Sequence, residues 1–185
     1  DAVINFAAES HVDRSIENVS DFLTTNILGL KVLLHNAMKF KIIRFLHIST
    51  DEVYGSLETG AANEDSALRP NSPYSASKAS ADLLVRAYEK TFSYPILIAR
   101  SCNNFGPFQY PEKVIPLFIT NLMNRDKVPL YGSGDNRREW IHVEDNCAAL
   151  SFIFDQGKPG EIYNIGPGKE MSNKELTLVL LKAMD

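Results

Sequence analysis

The chain has 185 residues, of which 44% are hydrophobic and 23% charged, with a net charge of −4. That apolar content suffices for one or two packed units. The acidic balance excludes a nucleic-acid surface built on phosphate contacts, and no apolar run is long enough to cross a membrane. The only cysteines, Cys102 and Cys147, form neither a disulfide framework nor a cysteine metal site, which fits a reducing, cytoplasmic setting. The four histidines show no metal-ligand spacing, so no metal is expected.

Residues 1–8 read as an apolar strand of the parallel type ending in small residues. A polar loop or short helix follows over 9–18. A helix is predicted from Ser20-Asp21, with Leu23, Ile27, Leu30, Leu34 and Met38 at helical spacing. Residues 42–49 form a second strand, and 58–73, with two prolines, a surface loop. A second long helix covers 74–91 and a buried strand 95–100. This β-α-β-α-β order predicts a parallel doubly wound sheet, whose ligands bind beyond the carboxyl ends of the strands. Residues 6–10, 49–52 and 101–104 are three such ends, expected to converge on one crevice.

Beyond Arg100 the pattern is less regular. Helix is predicted over 114–124, strands over 128–131 and 140–143, helix over 144–156, strand over 161–165, and a last helix from Ser172. Gly132-Ser133-Gly134 runs into Asp-Asn-Arg-Arg rather than an apolar helix, so it reads as a turn and not a dinucleotide loop. No glycine-rich phosphate loop precedes the first strand, and the sequence therefore reads as an internal segment of a longer chain.

Two clusters carry chemistry. Ser49-Thr50-Asp51-Glu52-Val53-Tyr54-Gly55 brings a hydroxyl and two carboxylates to a strand end. Tyr74-Ser75-Ala76-Ser77-Lys78 places a phenol and an amine one helical turn apart on one face. An ammonium beside a phenol favours the phenolate, so Tyr74 can act as a base in alcohol oxidation, with Thr50 bonding the same substrate oxygen. Asp51 and Glu52 add a second acid/base pair. Alone, a Tyr-x-x-x-Lys pair is commonly solvated helix surface, and an Asp-Glu pair an ordinary strand-end turn. Their occurrence together, with Asn103-Asn104 at the next strand end, points to function. His11 reads as a loop-holding residue, His35 and His47 as structural, and Cys102 as a small packing residue.

These segments, with Phe6-Ala7-Ala8-Glu9-Ser10-His11, Asn103-Asn104-Phe105-Gly106-Pro107, Pro111-Glu112-Lys113, Pro129-Leu130-Tyr131-Gly132 and Tyr163-Asn164-Ile165-Gly166, resemble the extended short-chain dehydrogenase/reductase superfamily. Within it they are similar to the dTDP-glucose 4,6-dehydratases, over essentially the whole chain. The resemblance implies an α/β, Rossmann-like doubly wound sheet with a smaller α/β substrate-binding lobe. Residues 1–105 would be the C-terminal half of the NAD-binding domain and 106–185 the substrate lobe, with 140–156 returning to the first. It implies dehydration of a nucleotide-activated glucose to the 4-keto-6-deoxy sugar, in deoxysugar (rhamnose) biosynthesis, with Thr50, Asp51, Glu52, Tyr74 and Lys78 catalytic.

By the same resemblance, Phe6, Ala7, Ala8, Glu9, Ser10, Thr25, Tyr74, Lys78 and Asn104 would line NAD. Ser10, Thr50, Asn103, Lys113, Val114, Pro129, Leu130, Tyr131, Arg138 and Asn173 would hold the nucleotide sugar. A homodimer through helices 21–39 and 74–91 is implied, with Phe22, Leu33 and Tyr88 on the second apolar side. Glu139, Phe105 and the order Ser101-Cys102 depart from the family's usual residues. A UDP-glucose 4,6-dehydratase, another epimerase or dehydratase of the superfamily, and a non-catalytic nucleotide-binding module remain as alternatives. The segment alone is expected to lack dehydratase activity and to bind NAD very weakly.

Overall fold

A computed structural model describes residues 1–57 and 60–184. In chain order the elements are β1 (Ala2–Asn5), α1 (Val12–Glu17), α2 (Val19–Leu23), a π-helical stretch (Thr24–Gly29), α3 (Leu30–Lys39), β2 (Arg44–Thr50) and a 3-10 turn (Asp51–Tyr54). There follow α4 (Pro73–Phe92), β3 (Ile96–Ser101), β4 (Asn103–Phe105), α5 (Val114–Met123), β5 (Arg137–His142), α6 (Val143–Gln156), β6 (Ile162–Ile165), β7 (Glu170–Ser172) and α7 (Asn173–Met184). Of the loop expected over 58–73, Glu58 and Thr59 lie outside the described residues, as does Asp185 at the chain end, and 60–72 carry neither helix nor strand.

The chain divides into two units. The first is Asp1–Ser101 with Ala149–Ile165; the second is Cys102–Ala148 with the residues from Gly166 onward. The boundary therefore falls at Ser101 rather than at 105. The returning segment is Ala149–Ile165 and not 140–156, because β5 pairs within the second unit's sheet while β6 completes the first.

In the first unit four parallel strands lie in the order β1-β2-β3-β6, with Asn5 beside His47, Thr50 beside Ser101 and Ser101 beside Ile165. All six positions of β3 are buried, as expected for an inner strand covered on both faces. Leu30, Leu34, Phe45, Val85, Ile96 and Ile98 form one packed cluster. Full burial stabilises each such side chain by about 1.5–3 kcal/mol relative to exposure. α4 starts where Ser72 caps it, its hydroxyl accepting from Ser75 N–H while Ser75 Oγ accepts from Ser72 N–H, with Pro73 next. It ends at Ser93 in the left-handed region, φ 51°.

The run from Val19 to Lys39 contains the expected helix, but its buried face differs from the expected one. Phe22, Asn26, Leu30, Leu34 and Ala37 are buried, whereas Leu23 is exposed. The π-helical turns shift the phase of the stripe partway along.

The second unit holds β4, β5 and β7, with β4 parallel and β7 antiparallel to β5. β4 and β7 have three residues each, too short for an alternating pattern to reveal them. Arg137 and Arg138 open β5. Residues 128–131 form no strand: Pro129 offers no N–H to a ladder, and the chain turns at once through Gly132, φ 58°, and Gly134, φ 74°. A side chain at Gly134 would press on Leu130 at 2.9 Å, so the turn folds directly against that leucine.

Candidate active site

β2 delivers Thr50 to the carboxyl end of the first unit's sheet, and the chain then enters the 3-10 turn that carries Asp51 and Glu52. Thr50 caps this turn, its hydroxyl accepting from Glu52 N–H at 3.3 Å. The exit needs glycine. Gly55 has φ 77°, and a Cβ there would lie 1.9 Å from the carbonyl oxygen of Arg69, whose own N–H donates to Val53 O at 3.0 Å. Asp51 and Glu52 are half-buried; Val53 and Tyr54 are buried.

α4 supplies Tyr74 and Lys78. Tyr74 is half-buried, its N–H donates to Ser15 Oγ at 3.1 Å, and its ring meets Phe22 edge-on at 6.3 Å. Lys78 is 4% exposed and donates from Nζ to Ile48 O at 2.6 Å, so the ammonium lies against β2 just before Thr50. Burial lowers its pKa to about 8, opposed by the charge of Asp82. The phenol moves the other way. Burial pushes Tyr74 well above its ordinary value, Glu52 and then Asp51 and Asp82 push further, and a hydrogen bond with Thr50 opposes them.

The structure thus brings Thr50, Asp51, Glu52, Tyr74 and Lys78 together at one sheet end, and corrects one expectation. Burial and the neighbouring carboxylates hold Tyr74 toward the neutral phenol against a hydrogen bond with Thr50, and the Lys78 ammonium donates to the Ile48 carbonyl.

Residues 6–10 leave the end of β1, which stops at Asn5 rather than continuing to residue 8. Asn5 Oδ1 accepts from Ala7 N–H at 3.2 Å. Glu9 is held at both backbone groups by Asn26, whose Oδ1 accepts from Glu9 N–H at 2.9 Å and whose Nδ2 donates to Glu9 O at 3.0 Å. Asn26 Nδ2 also donates to Ser77 Oγ at 2.8 Å. Phe6 and Ser10 are exposed on this fixed segment, and Thr25 is half-buried in the π-helical stretch. His11 caps α1, its Nδ1 accepting from Arg14 N–H, in keeping with a loop-holding role.

Sequence reasoning missed Asn26, together with a set of buried polar residues behind the site. Arg100 Nε donates to Asp82 Oδ2 at 2.8 Å, and the two side chains are 1% and 0% exposed. Arg100 Nη1 donates to Tyr54 OH at 2.7 Å, and Tyr54 OH donates to Asn164 Oδ1 at 2.7 Å. His47 Nε2 lies 3.8 Å from Asp82 Oδ1, and burial, with the charge of Lys78, holds the imidazole well below its ordinary pKa. A signal for Asn26 exists: Phe22, Asn26, Leu30 and Leu34 recur every four residues, and only one of them is polar.

The remaining substrate positions and Asn104 lie in the second unit. Asn103 pairs with Trp140, placing it two positions along the ladder from Arg138, which is exposed and donates from Nη1 to Arg137 O at 2.8 Å. The turn after Pro129, Leu130 and Tyr131 is pinned to the start of α7, with Lys174 N–H donating to Gly134 O and Asn173 N–H to Asn136 O, both at 3.0 Å. These bonds bring 129–131, Arg138 and Asn173 into one neighbourhood. Lys113 and Val114 stand apart from it in sequence, at the cap and first residue of α5. Asn104 Nδ2 donates to Cys102 O at 3.1 Å, leaving its buried Oδ1 without a partner among the described residues. Among the same residues there is no cluster of three or more histidine, cysteine or acidic side chains able to hold a metal, and no helix long and apolar enough to cross a membrane.

Comparison with known proteins agrees with this geometry. The profile of the family described as GDP-mannose 4,6 dehydratase matches residues 1–184. The low-salt glycan biosynthesis protein Agl12 of Haloferax volcanii is 55% identical over 184 residues, covering 100% of this chain and 59% of that protein. A dTDP-glucose 4,6-dehydratase of Streptomyces antibioticus is 52% identical over 183 residues, covering 99% of this chain and 55% of that one. The crystal structure of DesIV, a dTDP-glucose 4,6-dehydratase from Streptomyces venezuelae solved with NAD bound, superposes with a TM-score of 0.98 at 52% identity, over 100% of this chain and 57% of that one. The chain therefore spans a little over half the length of the relatives it matches.

Proposed function

We propose a function from one premise: the chain belongs to the GDP-mannose 4,6-dehydratase family. On that premise it carries the reaction centre of an NAD-dependent dehydratase that converts dTDP-glucose to its 4-keto-6-deoxy sugar. The observation that carries the reading is the meeting of Thr50, Asp51 and Glu52 with Tyr74 and Lys78 at the end of β2. An epimerase needs the phenol and the amine; the two carboxylates supply a further elimination.

The residues present fit the cofactor. Phe6 is 60% exposed beside the small Ala7 and Ala8, on a segment that Asn5 and Asn26 hold rigidly, which suits a flat ring and its sugar. Glu9, Ser10 and Thr25 belong to that surface, and the unpartnered Oδ1 of Asn104 offers an acceptor. NAD, when bound, supplies the hydride acceptor at C4 and later the hydride donor at C6.

The chain's own residues move the protons. Tyr74 takes the C4 hydroxyl proton as the phenolate, with Thr50 holding the same oxygen; the burial and neighbouring carboxylates that raise its pKa would be offset by the positive ring of bound NAD. Lys78, with a pKa of about 8, can exchange a proton at Nζ close to neutral pH. Once C4 is a ketone the C5 hydrogen is acidic. Glu52 removes it as Asp51 donates a proton to the C6 hydroxyl, which leaves as water, and Glu52 then returns a proton to C5. Ser10, Thr50, Asn103, Lys113, Val114, Pro129, Leu130, Tyr131, Arg138 and Asn173 are proposed to hold the nucleotide sugar. Arg138 would contribute a guanidinium whose planar fork matches a phosphate.

Incubation of the full-length protein with dTDP-glucose and with UDP-glucose tests this reading. The 4-keto product is expected from dTDP-glucose, and Tyr74→Phe should lower turnover roughly 10²–10⁴-fold with the fold intact. Tyr74→Phe turnover within tenfold of wild type, or no product from either sugar, would sink it.

We further propose a cytoplasmic homodimer serving deoxysugar synthesis, rhamnose being the sugar expected. Cys102 and Cys147 are both free thiols, which fits a reducing compartment. The dimer rests on exposed apolar residues: Leu28 (59%), Val32 (53%) and Leu33 (39%) on the first long helical run, and Leu83 (56%) and Phe92 (53%) on α4. Phe22 does not belong to that face, being 2% exposed against Tyr74, and Tyr88 packs against the unit's own core. Sedimentation of full-length protein as a monomer at micromolar concentration would overturn the dimer. Recovery of the native protein outside the cytosolic fraction would overturn the location.

A further inference from the structure

The 3-10 turn bearing Asp51 and Glu52 is four residues long, and such turns have poor hydrogen-bond geometry of their own. Its last residue, Tyr54, is 5% exposed and points into the protein, where its hydroxyl accepts from Arg100 on β3 and donates to Asn164 on β6. Arg100 lies with its guanidinium carbon 4.9 Å from the centre of the Tyr54 ring. Its Nε meanwhile donates to Asp82, four residues beyond Lys78 on α4 and so on the same helical face. A continuous chain of short bonds thus runs from the turn that holds the carboxylates to the helix that holds Tyr74 and Lys78. A planar guanidinium with fixed donor directions is suited to set such a geometry. A buried ion pair is weak as a source of stability compared with apolar packing, so its presence here calls for another reason.

We propose that Tyr54, through Arg100 and Asp82, is a positioning residue that sets Asp51 and Glu52 against Tyr74, and so governs the elimination half-reaction more than the C4 oxidation. This rests on the dehydratase reading above. Tyr54 touches no reacting atom; it acts through the turn. Removing its hydroxyl keeps the ring that fills the space and the stacking on Arg100, but releases the turn from both β3 and β6. Displacement of a catalytic group by about an ångström can slow its step roughly 10²-fold, whereas Tyr74 and Lys78 stay fixed by Ser15, Thr50 and Ile48.

The test is Tyr54→Phe in the full-length protein, read in two ways. In rapid mixing with dTDP-glucose, C4 oxidation should stay within about twofold of wild type while elimination slows roughly 10–100-fold, so that NADH absorbance accumulates as it should in Asp51→Asn. Amide exchange at Glu52 and Gly55, whose N–H groups donate to Thr50 Oγ1 and Glu52 O, should quicken about tenfold or more relative to the rest of β2 and α4. Unchanged exchange, or the two half-reactions falling together, overturns the proposal. Faster exchange in a protein whose wild type converts no nucleotide glucose leaves the positioning standing and overturns the dehydratase reading instead. Should Tyr54→Phe not accumulate as folded protein, Asn164→Ala carries the same two readouts, with shifts in the same direction expected.

Discussion

The two units differ in where they keep their charges. In the first, Lys78, Asp82 and Arg100 are each under 5% exposed and bonded to one another or to backbone next to the proposed reaction centre. In the second, Arg137 pairs with Glu170 at 3.4 Å and with Glu175 at 3.3 Å, and all three side chains are about half exposed. Buried charges are costly unless geometry and further hydrogen bonds answer them, so the first unit can keep them only in a rigid arrangement. Exposed pairs are screened by water and salt and constrain little. The contrast matches the proposed division of labour: proton transfer needs fixed groups, while binding a polyanion needs accessible donors.

The largest effect that would break the comparison comes from the buried pair. Asp82→Ala leaves Arg100 desolvated without its carboxylate and should lower the unfolding free energy by about 3–5 kcal/mol. Denaturant titration of the full-length protein reads this directly. A loss below about 1 kcal/mol would mean that water reaches Arg100 and that the first unit's charges are not sealed as described.

Lys78 gives a smaller effect with a definite sign. Its folded pKa is lowered from 10.5 to about 8, mainly by burial. Below pH 8 the lysine is charged in both states and the cost of burying it is fully present. Between about 8 and 10.5 the unfolded chain binds more protons than the folded one, so stability should rise with pH through that window. Above it the cost is gone. Over the whole window the gain is about 3 kcal/mol, and it should be missing in Lys78→Met. Tyr74, raised in the folded state, acts oppositely but only above pH 10, and it cancels in the comparison of the two proteins. Parallel pH slopes for wild type and variant would show that Lys78 titrates as if solvated.

What the sequence revealed follows the same line. Elements of ten or more residues, and the five residues proposed as catalytic, were legible because their signals are local: helical spacing in α3 and α4, an apolar run in β2, Thr50-Asp51-Glu52 in succession, Tyr74 and Lys78 one turn apart. The roles of Asp82, Arg100 and Tyr54, and the partner of His47, were not, because pairing across 18, 35 or 46 positions leaves no local trace. Asn26 carried a signal in its four-residue recurrence with Phe22, Leu30 and Leu34, but the competing stripe through Leu23 and Ile27 masked it until the π-helical turns settled which face is buried. Apolar character at Val128, Leu130 and Tyr131 suggested a strand that Pro129 prevents. β4 and β7 were lost to their length.

The smallest effect on stability is expected in the second unit, and it sharpens the comparison by separating two neighbouring arginines. Arg137→Ala removes both exposed ion pairs. Such pairs often contribute nothing measurable, so Tm should stay within error of wild type. Arg138→Ala should leave Tm equally unmoved, since among the described residues the only hydrogen bond its guanidinium makes is to the adjacent carbonyl of Arg137. The two should part in substrate binding. Arg137 spends its donors on Glu170 and Glu175, whereas Arg138 faces solvent with donors to offer a phosphate. Loss of a charge-assisted contact of that kind should raise the KM for dTDP-glucose roughly tenfold or more in Arg138→Ala, with little change in kcat and none of the effect in Arg137→Ala. Equal KM values in the two variants would remove Arg138 from the proposed nucleotide site. A fall in Tm for either would mean that the second unit's surface charges hold its fold as the first unit's buried ones do.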